Sequence, residues 1–476
     1  MKIEFIGAAR EVTGSKHLIT TKDGKRILLD CGMFQGKGLE TDSKNRDLNF
    51  DPSTINHIIL SHAHIDHSGL IPYFYKNGFR GSVICTNATR DLCALMLADS
   101  GHIQESDIER FNKKRKNRGE RPVDALYTVE DAEKCMELFI GLAYDRRFYI
   151  TDKETKNTKS CISVKFTNTG HMLGSGVVNL EIEEDGKVIR LAYTGDIGRP
   201  HNRIIHPPVP FPQCDYLITE STYGDRLHSH NQESEDDLLR IITETCVDRK
   251  GKLIIPSFSI GRTQEIVFVL NNFYNEGKLP HIDVYVDSPL SVNATDVFRM
   301  HPECMNDEVK DVLKYDSDPF GFNRLHYIKK VEDSKRLNDK EGPCIIISSS
   351  GMMEAGRIKH HVANNIENPN NTILIVGYCT PTSLGARIQQ PGLDYISIFG
   401  DLHPVNARIE KIESFSGHGD YQEMMSFLSC QDPKQIKKMF LVHGDYEVQQ
   451  RYQEFLEKEE YSHIEIPEAG EEFTLE

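Results

Sequence analysis

The sequence predicts an α/β protein of two domains, in which the second domain is built on a parallel sheet and is inserted into the first. The chain has 476 residues, which is more than one hydrophobic core usually organises. Up to about residue 210 it consists of short β runs separated by turns. From about residue 230, apolar strands alternate with helices, which is typical of a parallel sheet covered on both faces. The end of the chain returns to short β and helical pieces, so the middle part is interpreted as an insertion.

The individual elements follow from local patterns of apolar and polar residues. In the first part, the predicted strands are residues 25–30, 57–60, 83–86, 163–168 and 187–194. In the second part, the predicted helices are residues 233–246, 262–273 and 360–366, and the predicted strands are residues 252–256, 282–286, 344–347 and 372–376.

Composition narrows the class of protein. Eleven cysteines without a CxxC pair indicate reduced, mostly buried thiols rather than a disulfide framework or a zinc knuckle. The N-terminus lacks a basic stretch followed by an apolar run, and no apolar stretch is long enough to span a bilayer. We therefore expect a cytoplasmic protein without a membrane partner.

The net charge of −16 argues against a nonspecific nucleic-acid binder, because phosphates repel an acidic surface. Bound divalent ions can offset such charge locally. Residues 113–121 (KKRKNRGER) are a basic exception. This run is either a solvated loop or a contact for RNA backbone, and the sequence leaves both interpretations open.

Six β-like runs each end in an ionisable residue. A single buried strand that ends in Asp or His is unremarkable, because the residue can simply cap a turn. Six such endings predict one shared edge lined with metal ligands, since residues at strand ends project from a rigid scaffold into loops. The residues are Asp30, His62, His171, Asp196, Glu220 and His443.

Residues 61–67 (SHAHIDH) carry the strongest chemical signal. In an extended segment alternate side chains share a face, so His62 and His64 can bind one cation. Asp66 and His67 follow directly, before a turn at Ser68 into a predicted helix over residues 70–75, and they can reach a second cation nearby. Nitrogen and carboxylate donors of this kind are typical of zinc sites.

This segment resembles the HxHxDH motif of the metallo-β-lactamase superfamily. Asp30, His171 and Asp196 follow in the order of that superfamily's first, third and fourth motifs. The resemblance implies that His62, His64 and His171 hold one zinc, that Asp66 and His67 hold another, and that Asp196 bridges the two. It also implies that Asp30 orients a ligand histidine through the outer ring nitrogen. A simple turn cap remains the alternative for Asp30.

Later segments resemble motifs A, B and C of the β-CASP nucleases. These segments are residues 219–224 (TESTYG), 416–420 (SGHGD) and 441–444 (LVHG). The resemblance covers nearly the whole chain and extends to the nuclease subunit of the cleavage and polyadenylation specificity factor and its prokaryotic RNase relatives. It implies a metallo-β-lactamase αββα sandwich over residues 1–211 and 406–476, with a β-CASP domain inserted at residues 212–405.

By the same resemblance, His443 completes the second zinc site and His418 lies beside the scissile phosphate. Glu220 would orient the ring of His418 or keep it protonated. The catalytic residues would be His418, Glu220, Asp66 and Asp196. Segments 256–262, 348–353 and 377–379 also look similar to the family. Ser349, Ser350 and Gly351 follow an apolar strand and could offer backbone N–H groups to a phosphate, although an ordinary turn explains them equally well. Arg262 opens a helix, where either a substrate contact or a surface salt bridge would fit.

We therefore expect a hydrolase with two Zn²⁺ per chain that cuts RNA phosphodiester bonds. Its two metals would activate a hydroxide, and the products would be a 5′-phosphate and a 3′-hydroxyl. Single-stranded RNA is the expected partner, because a narrow cleft would exclude a duplex. Endonuclease or 5′-exonuclease action and a homodimer are left open.

Three alternatives compete with this interpretation. In a DNA-processing β-CASP nuclease, valine typically stands where this chain has His443. A small-molecule hydrolase on the same metal core would not need the insertion or motifs A to C. A catalytically silent scaffold would have lost metal ligands, whereas this chain has the full set.

Overall fold

The structure is a computed structural model that describes residues 1–36, 39–48, 50–150, 160–227, 231–377, 379–380, 382–412 and 417–476. The chain forms two compact units. The first unit comprises Met1–Pro200, Pro207–Leu227 and His418–Glu476, and the second comprises His201–His206 and His228–Gly417. Among the described residues, no helix is both long and apolar enough to cross a membrane.

The first part of the chain contains eleven strands and five helices among its described residues. The strands are β1 (Lys2–Gly7), β2 (Lys16–Thr20), β3 (Arg26–Leu29), β4 (His57–Ile59), β5 (Ser82–Thr86), β6 (Phe139–Leu142), β7 (Phe148–Ile150), β8 (Ser160–Asn168), β9 (Gly176–Glu184), β10 (Lys187–Tyr193) and β11 (Tyr216–Glu220). The helices are α1 (Leu39–Arg46), α2 (Ile65–Ser68), α3 (Ile71–Lys76), α4 (Asn87–Asn117) and α5 (Val129–Cys135).

The second unit alternates helices and strands, as its apolar runs predict. Its helices are α6 (Asn231–Ile242), α7 (Arg262–Asn275), α8 (Pro289–Met300), α9 (Asp307–Val312), α10 (Val331–Asp339), α11 (Ile358–Asn365) and α12 (Leu384–Arg387). Its strands are β12 (Lys252–Pro256), β13 (Asp283–Val286), β14 (Leu325–Tyr327), β15 (Cys344–Ser348), β16 (Thr372–Ile375), β17 (Tyr395–Ile398), β18 (Asp401–Pro404) and β19 (Arg408–Lys411). The predicted strands and helices of both parts are confirmed, with bounds that differ by a few residues.

The chain then returns to the first unit. The returning elements are α13 (Tyr421–Leu428), β20 (Lys438–Val442), α14 (Tyr446–Lys458), β21 (Ile464–Glu465) and β22 (Glu471–Thr474). β22 pairs with β1, and β20 pairs with β11, so the end of the chain completes both sheets of this unit.

The first unit is an αββα sandwich of two seven-stranded sheets. The strand orders are β22-β1-β2-β3-β4-β5-β6 and β21-β20-β11-β10-β9-β8-β7. One apolar core joins the facing sides of the two sheets, with Phe5 and Ile27 from the first sheet and Phe166 and Phe440 from the second. Helices α13 and α14 cover the outer face of the second sheet through residues such as Phe427. The predicted αββα sandwich is confirmed.

The six ionisable residues at strand ends do lie at one end of the first unit, but two sheets supply them. Asp30 and His62 follow β3 and β4 of the first sheet, whereas the other four follow or end β8, β10, β11 and β20 of the second. The residues therefore do share one edge of the unit, but this edge is formed by both sheets. Spacing along the chain cannot show which strands pair across long sequence separations.

The second unit contains a six-stranded, fully parallel sheet in the order β14-β13-β15-β12-β16-β19. A separate hairpin, β17–β18, packs through Ile396 and Ile398 onto its apolar core. The main segment of this unit, His228–Gly417, begins and ends later than the predicted insertion at residues 212–405, and the short segment His201–His206 also belongs to it. The difference arises because β11 pairs with β10 and β20 in the first unit, while β19 pairs with β16 in the second.

A clamp of backbone groups holds the segment that follows β4. Ser15 N donates to the carbonyl oxygen of Asp66 at 2.8 Å, and Cys31 N donates to that of His67 at 2.7 Å. The buried Lys16 ammonium joins the two clamping loops by donating to the carbonyl oxygens of Gly14 and Gly32, each at 2.8 Å. Burial lowers the pKa of Lys16 to about 8.

Gly32 is required at this clamp by close approach of two backbones. A Cβ atom at this position would lie 1.7 Å from the carbonyl oxygen of Asp66. We expect Gly32→Ala to destabilise the protein by about 1–3 kcal/mol, the usual range for overpacking, and to displace residues 64–67. Denaturant unfolding and metal content measure the two effects.

Gly377→Ala is the matched control, because the nearest atom to its added methyl would be 3.9 Å away. Its stability should stay within roughly 0.5 kcal/mol of the parent. A Gly32→Ala protein of parental stability and metal content would contradict the clamp.

Candidate metal centre

The loop that leaves β4 carries the first two histidines in an extended conformation. His64 has φ −56° and ψ 148° and directly precedes α2. The predicted turn therefore comes earlier than Ser68, so Asp66 and His67 lie inside a one-turn helix. This bend separates the segment into two pairs of side chains that point to different donor groups.

The first donor group consists of three imidazoles and one carboxylate. His64 Nδ1 lies 3.1 Å from His62 Nε2 and 3.2 Å from His171 Nε2. Asp196 Oδ2 lies 3.4 Å from each of the same two Nε2 atoms. Four donor atoms thus surround one point, as the sequence predicts for a single cation.

The second donor group uses the other oxygen of Asp196. Asp196 Oδ1 lies 3.3 Å from His67 Nε2 and 3.7 Å from His443 Nε2. His443 Nε2 lies 3.5 Å from Asp66 Oδ2. The structure therefore brings all seven predicted ligands together, with Asp196 between the two groups.

The arrangement of these donor atoms suits metal coordination better than hydrogen bonding among the side chains. The Nε2 atoms of His67 and His443 and the Oδ1 atom of Asp196 are buried and have no hydrogen-bond partner among the described residues. Buried polar atoms are rarely left unpaired. Ligands about 2.0–2.1 Å from a tetrahedral zinc lie ~3.3 Å from one another. The separations of 3.1–3.7 Å therefore match two closely spaced ions.

Asp30 joins three side chains beneath the second donor group. Its Oδ2 atom lies 2.6 Å from His67 Nδ1 and accepts hydrogen bonds from Ser61 Oγ and Tyr193 OH, each at 2.7 Å. Since Nδ1 of His67 is engaged in this way, Nε2 is the nitrogen left for a metal. Ser61 Oγ also lies 3.0 Å from Nδ1 of His62 and so orients that ring as well.

The charges of the group explain two large pKa shifts. Burial alone would favour neutral Asp196, but His443, His67 and His62 hold the pKa of this carboxyl well below its usual range. Burial likewise opposes protonation of His67, yet Asp196 and Asp30 raise its pKa well above the usual value. A cation is therefore favoured between these carboxylates, and a metal ion that binds there competes with protons.

His418 lies beside the metal ligands and pairs with a separate carboxylate, that of Glu220. Its Nδ1 atom lies 3.1 Å and 3.3 Å from the two oxygens of the buried Glu220. Desolvation favours the neutral ring, but the charge and hydrogen bond of Glu220 outweigh it and raise the pKa of His418 to about 9. Asp196 Oδ2 is 3.9 Å from the same Nδ1 atom. The arrangement leaves Nε2 of His418 as a proton donor.

Motif B is held by the start of α13. Asp420 caps this helix and accepts from the backbone N–H groups of Gln422 and Glu423 at 3.0 and 2.9 Å. Gly419 N donates to the carbonyl oxygen of Ile197, next to Asp196. Residue 416 of the motif lies outside the described residues, as does residue 378 of the predicted segment 377–379.

The predicted substrate-binding residues belong to the second unit. Ser349 Oγ donates to Ser288 Oγ at 2.7 Å, and Ser350 and Gly351 form the turn after β15. Arg262 makes an ion pair with Glu265 one helical turn further on, and both side chains are largely buried, so a salt bridge is present but does not lie on the surface. Substrate contact by these four residues stays a prediction.

Three contributors were not anticipated from the sequence. Ser61 and Tyr193 bind Asp30, and Thr222 Oγ1 lies 2.9 Å from Nδ1 of His443 and orients that ring. Ser61 and Thr222 lie inside or beside quoted motifs, which is a usable signal. Nothing in the sequence pairs Tyr193 with a residue that precedes it by 163 positions.

Comparison with known proteins assigns the chain to a family. Residues 13–243 match the Metallo-beta-lactamase superfamily, residues 263–388 the Beta-Casp domain, and residues 402–467 the Zn-dependent metallo-hydrolase RNA specificity domain.

Three relatives illustrate the similarity. The chain is 32% identical to Ribonuclease TTHA0252 of Thermus thermophilus over 94% of each chain. It is 31% identical to Transcription termination factor FttA of Methanocaldococcus jannaschii, over 94% of this chain and 67% of that one. It is 28% identical to Cleavage and polyadenylation specificity factor 73 of Drosophila melanogaster, over 96% of this chain and 62% of that one. The resemblance inferred from the motifs is confirmed, and the chain belongs to the β-CASP ribonuclease family of the metallo-β-lactamase superfamily, whose members are metal-dependent hydrolases.

Proposed function

We propose that this protein is a two-zinc ribonuclease that hydrolyses phosphodiester bonds of single-stranded RNA and leaves 5′-phosphate and 3′-hydroxyl ends. The observation that carries the proposal is the Asp196 carboxylate, whose two oxygens face separate donor groups beside the Glu220–His418 pair. Family membership supports an RNA-processing nuclease, and the names of the relatives support RNA as the substrate.

Bound zinc would supply Lewis acidity, which lowers the pKa of water toward ~7 and offsets the charge of the phosphate. His62, His64 and His171 would hold one ion, and Asp66, His67 and His443 the other, with Asp196 shared. The histidines need to be neutral to bind metal, so zinc affinity should rise with pH as the proton on His67 is displaced.

The remaining residues handle orientation and protons. Water adds to phosphorus as the bond to the 3′ oxygen breaks, and the leaving oxygen needs a proton. Nε2 of His418 would donate that proton, because Glu220 binds Nδ1 and keeps the ring charged. The carboxylates of Asp66 and Asp196 would accept hydrogen bonds from the attacking water and thereby orient it.

The first prediction concerns metal content. The purified protein should contain two zinc ions per chain, and His64→Ala should lose metal because one donor of the first group is removed. Elemental analysis after zinc reconstitution makes the measurement, and His102→Ala on the exposed face of α4 is the control. Protein that binds no transition metal after reconstitution would refute the dinuclear site.

The second prediction separates acid catalysis from metal binding. His418→Ala should keep both zinc ions while kcat falls by ~10²–10⁴, the usual size for acid–base catalysis. Glu220→Gln should move the alkaline limb of the pH–rate profile to lower pH, because the pKa of His418 falls when its carboxylate partner loses its charge. If His418→Ala loses zinc together with activity, His418 is a ligand and its assignment as the acid is wrong.

The third prediction is a preference for RNA, which rests on His443 as a ligand of the second ion. With zinc loaded, kcat/KM for an RNA oligonucleotide should exceed that for the same DNA sequence by at least about tenfold, or ~1.4 kcal/mol. His443→Val should lose most of the RNA rate, since valine offers no donor atom. Labelling each end of the RNA separately would also distinguish endonuclease from 5′-exonuclease action.

Equal rates on RNA and DNA, or faster cutting of DNA, would instead favour a DNA-processing enzyme despite the histidine. Zinc-loaded protein that cuts neither polymer would favour the silent scaffold. Comparison of the two oligonucleotides therefore tests both alternatives.

A further inference from the structure

The end of helix α4 carries a concentration of positive charge that the metal centre does not use. We call residues 110–121 the basic tip. It contains seven cations and one carboxylate in a chain whose net charge is −16. The cations are Arg110, Lys113, Lys114, Arg115, Lys116, Arg118 and Arg121.

The basic tip is an ordered helix end rather than a loop. Helix α4 continues to Asn117, and Gly119 at φ +72° closes it. Gly119 N donates to the carbonyl oxygen of Lys116 and Glu120 N to that of Arg115, each at 3.1 Å, which is the Schellman pattern. Two hydrogen bonds of 2.9 Å between the Asn112 side chain and the Val123 backbone fix the returning chain. Residues 113–117 of the run are therefore helical rather than a loop, residues 118–121 form the turn that follows, and nearly all of them are exposed.

Internal ion pairs neutralise only part of the charge. Lys113 pairs with Glu109 at 2.8 Å, and Arg110 lies 3.9 Å from Asp107. Arg115 is engaged in the turn itself, through Glu120 at 2.9 Å and the carbonyl oxygen of Arg121 at 2.7 Å.

Four exposed cations make no ion pair within the described part of the chain: Lys114, Lys116, Arg118 and Arg121. Interaction with the helix dipole favours Lys114 and Lys116 in the last turn. It does not explain Arg118 and Arg121, which lie beyond the helix. The surface thus presents a fixed set of positive charges to an external anion.

An exposed aromatic ring lies within this surface. Phe111 is 43% exposed, Lys114 and Arg115 follow it at the i+3 and i+4 positions of one helix face, and Arg118 follows as the C-cap residue. The Arg115 guanidinium lies 5.5 Å from the centre of the Phe111 ring. Cations beside an exposed aromatic ring are the combination that binds single-stranded nucleic acid, with phosphates on the cations and a base stacked on the ring.

We propose that the basic tip is an RNA-docking surface, separate from the metal ligands, where Lys114, Lys116 and Arg118 contact phosphates and Phe111 stacks on an unpaired base. This inference rests on the proposed function, since it names where the RNA of that enzyme is held. A fixed cationic surface gives long substrates an additional attachment that short ones cannot use.

The decisive experiment measures binding of a labelled, unstructured 24-nucleotide RNA in the zinc-loaded, full-length His418→Ala protein, in which cleavage is suppressed. The variant K114Q/K116Q/R118Q keeps good helix formers and removes three charges. It should flatten the dependence of log K on log salt by about two units, at ~0.7 per phosphate contact. The matched control K187Q/K434Q/K458Q removes three exposed lysines from other elements of the first unit and should leave the slope unchanged.

Phe111 is tested separately, because its stacking does not depend on salt. Phe111→Leu keeps an apolar side chain but offers no ring, and it should weaken binding of the 24-mer about fivefold or more. Phe111→Tyr should restore binding. A Phe111→Leu variant that binds the 24-mer with parental affinity would show that no base stacks on Phe111.

Cleavage distinguishes this inference from the proposed function. In the protein that retains His418, K114Q/K116Q/R118Q should lower kcat/KM for the 24-mer about tenfold, because the phosphate contacts that set the salt dependence are lost. The kcat/KM for a 6-mer should stay unchanged. A parent that cuts neither RNA refutes the proposed function. A parent that cuts both, with a variant that binds and cuts the 24-mer like the parent, refutes the docking surface alone. If the variant instead loses binding to phosphatidylserine vesicles while RNA binding is unchanged, the surface faces a membrane and the RNA inference is wrong.

Discussion

The first unit depends on the carboxylate of Asp196. This side chain is 2% exposed, and its two oxygens lie 3.3–3.7 Å from ring nitrogens of four histidines. A buried carboxylate without a positive partner costs several kcal/mol. The site therefore has to contain cations, whether protons or metal ions, and the surrounding structure determines where they sit. Both sheets of the sandwich end their strands around this one charge.

Three of the four rings that face Asp196 are oriented from behind by a neutral or anionic group. Asp30 and Ser61 orient His67 and His62, and Thr222 orients His443. Because one nitrogen of each ring is engaged, the other nitrogen is left to face the centre. The backbone clamp at Gly32 then fixes the chain that carries two of the ligands. Rigidity of this kind is what two-metal catalysis needs, since small displacements of the reacting groups slow the reaction strongly.

The metal ligands could be predicted because their chemistry is encoded locally. Two histidines two residues apart in an extended segment share a face in any fold, and the motifs that follow determine the family. Pairing across long sequence separations could not be predicted in the same way, so the sequence did not show that two sheets contribute ligands or that Tyr193 reaches Asp30. The sequence analysis did not predict α4 at all, and its second half shows one reason. It is exposed nearly all round, so it lacks the apolar stripe by which a helix is recognised from sequence.

Charge connects the metal centre with the basic tip. A chain of net charge −16 repels a polyanion, and salt at physiological concentration limits this repulsion to distances of about 8–10 Å from the surface. Attraction therefore has to come from local positive charge. At the metal centre, four carboxyl groups (Asp30, Asp66, Asp196 and Glu220) lie near the five ligand histidines and His418, so the protein alone offers a phosphate little net attraction there. Bound cations would supply it. At the basic tip the protein itself supplies the charge, through four exposed cations that have no ion pair among the described residues. Repulsion over most of the surface and attraction at two places would favour binding of RNA at those places over nonspecific adhesion to the rest of the molecule.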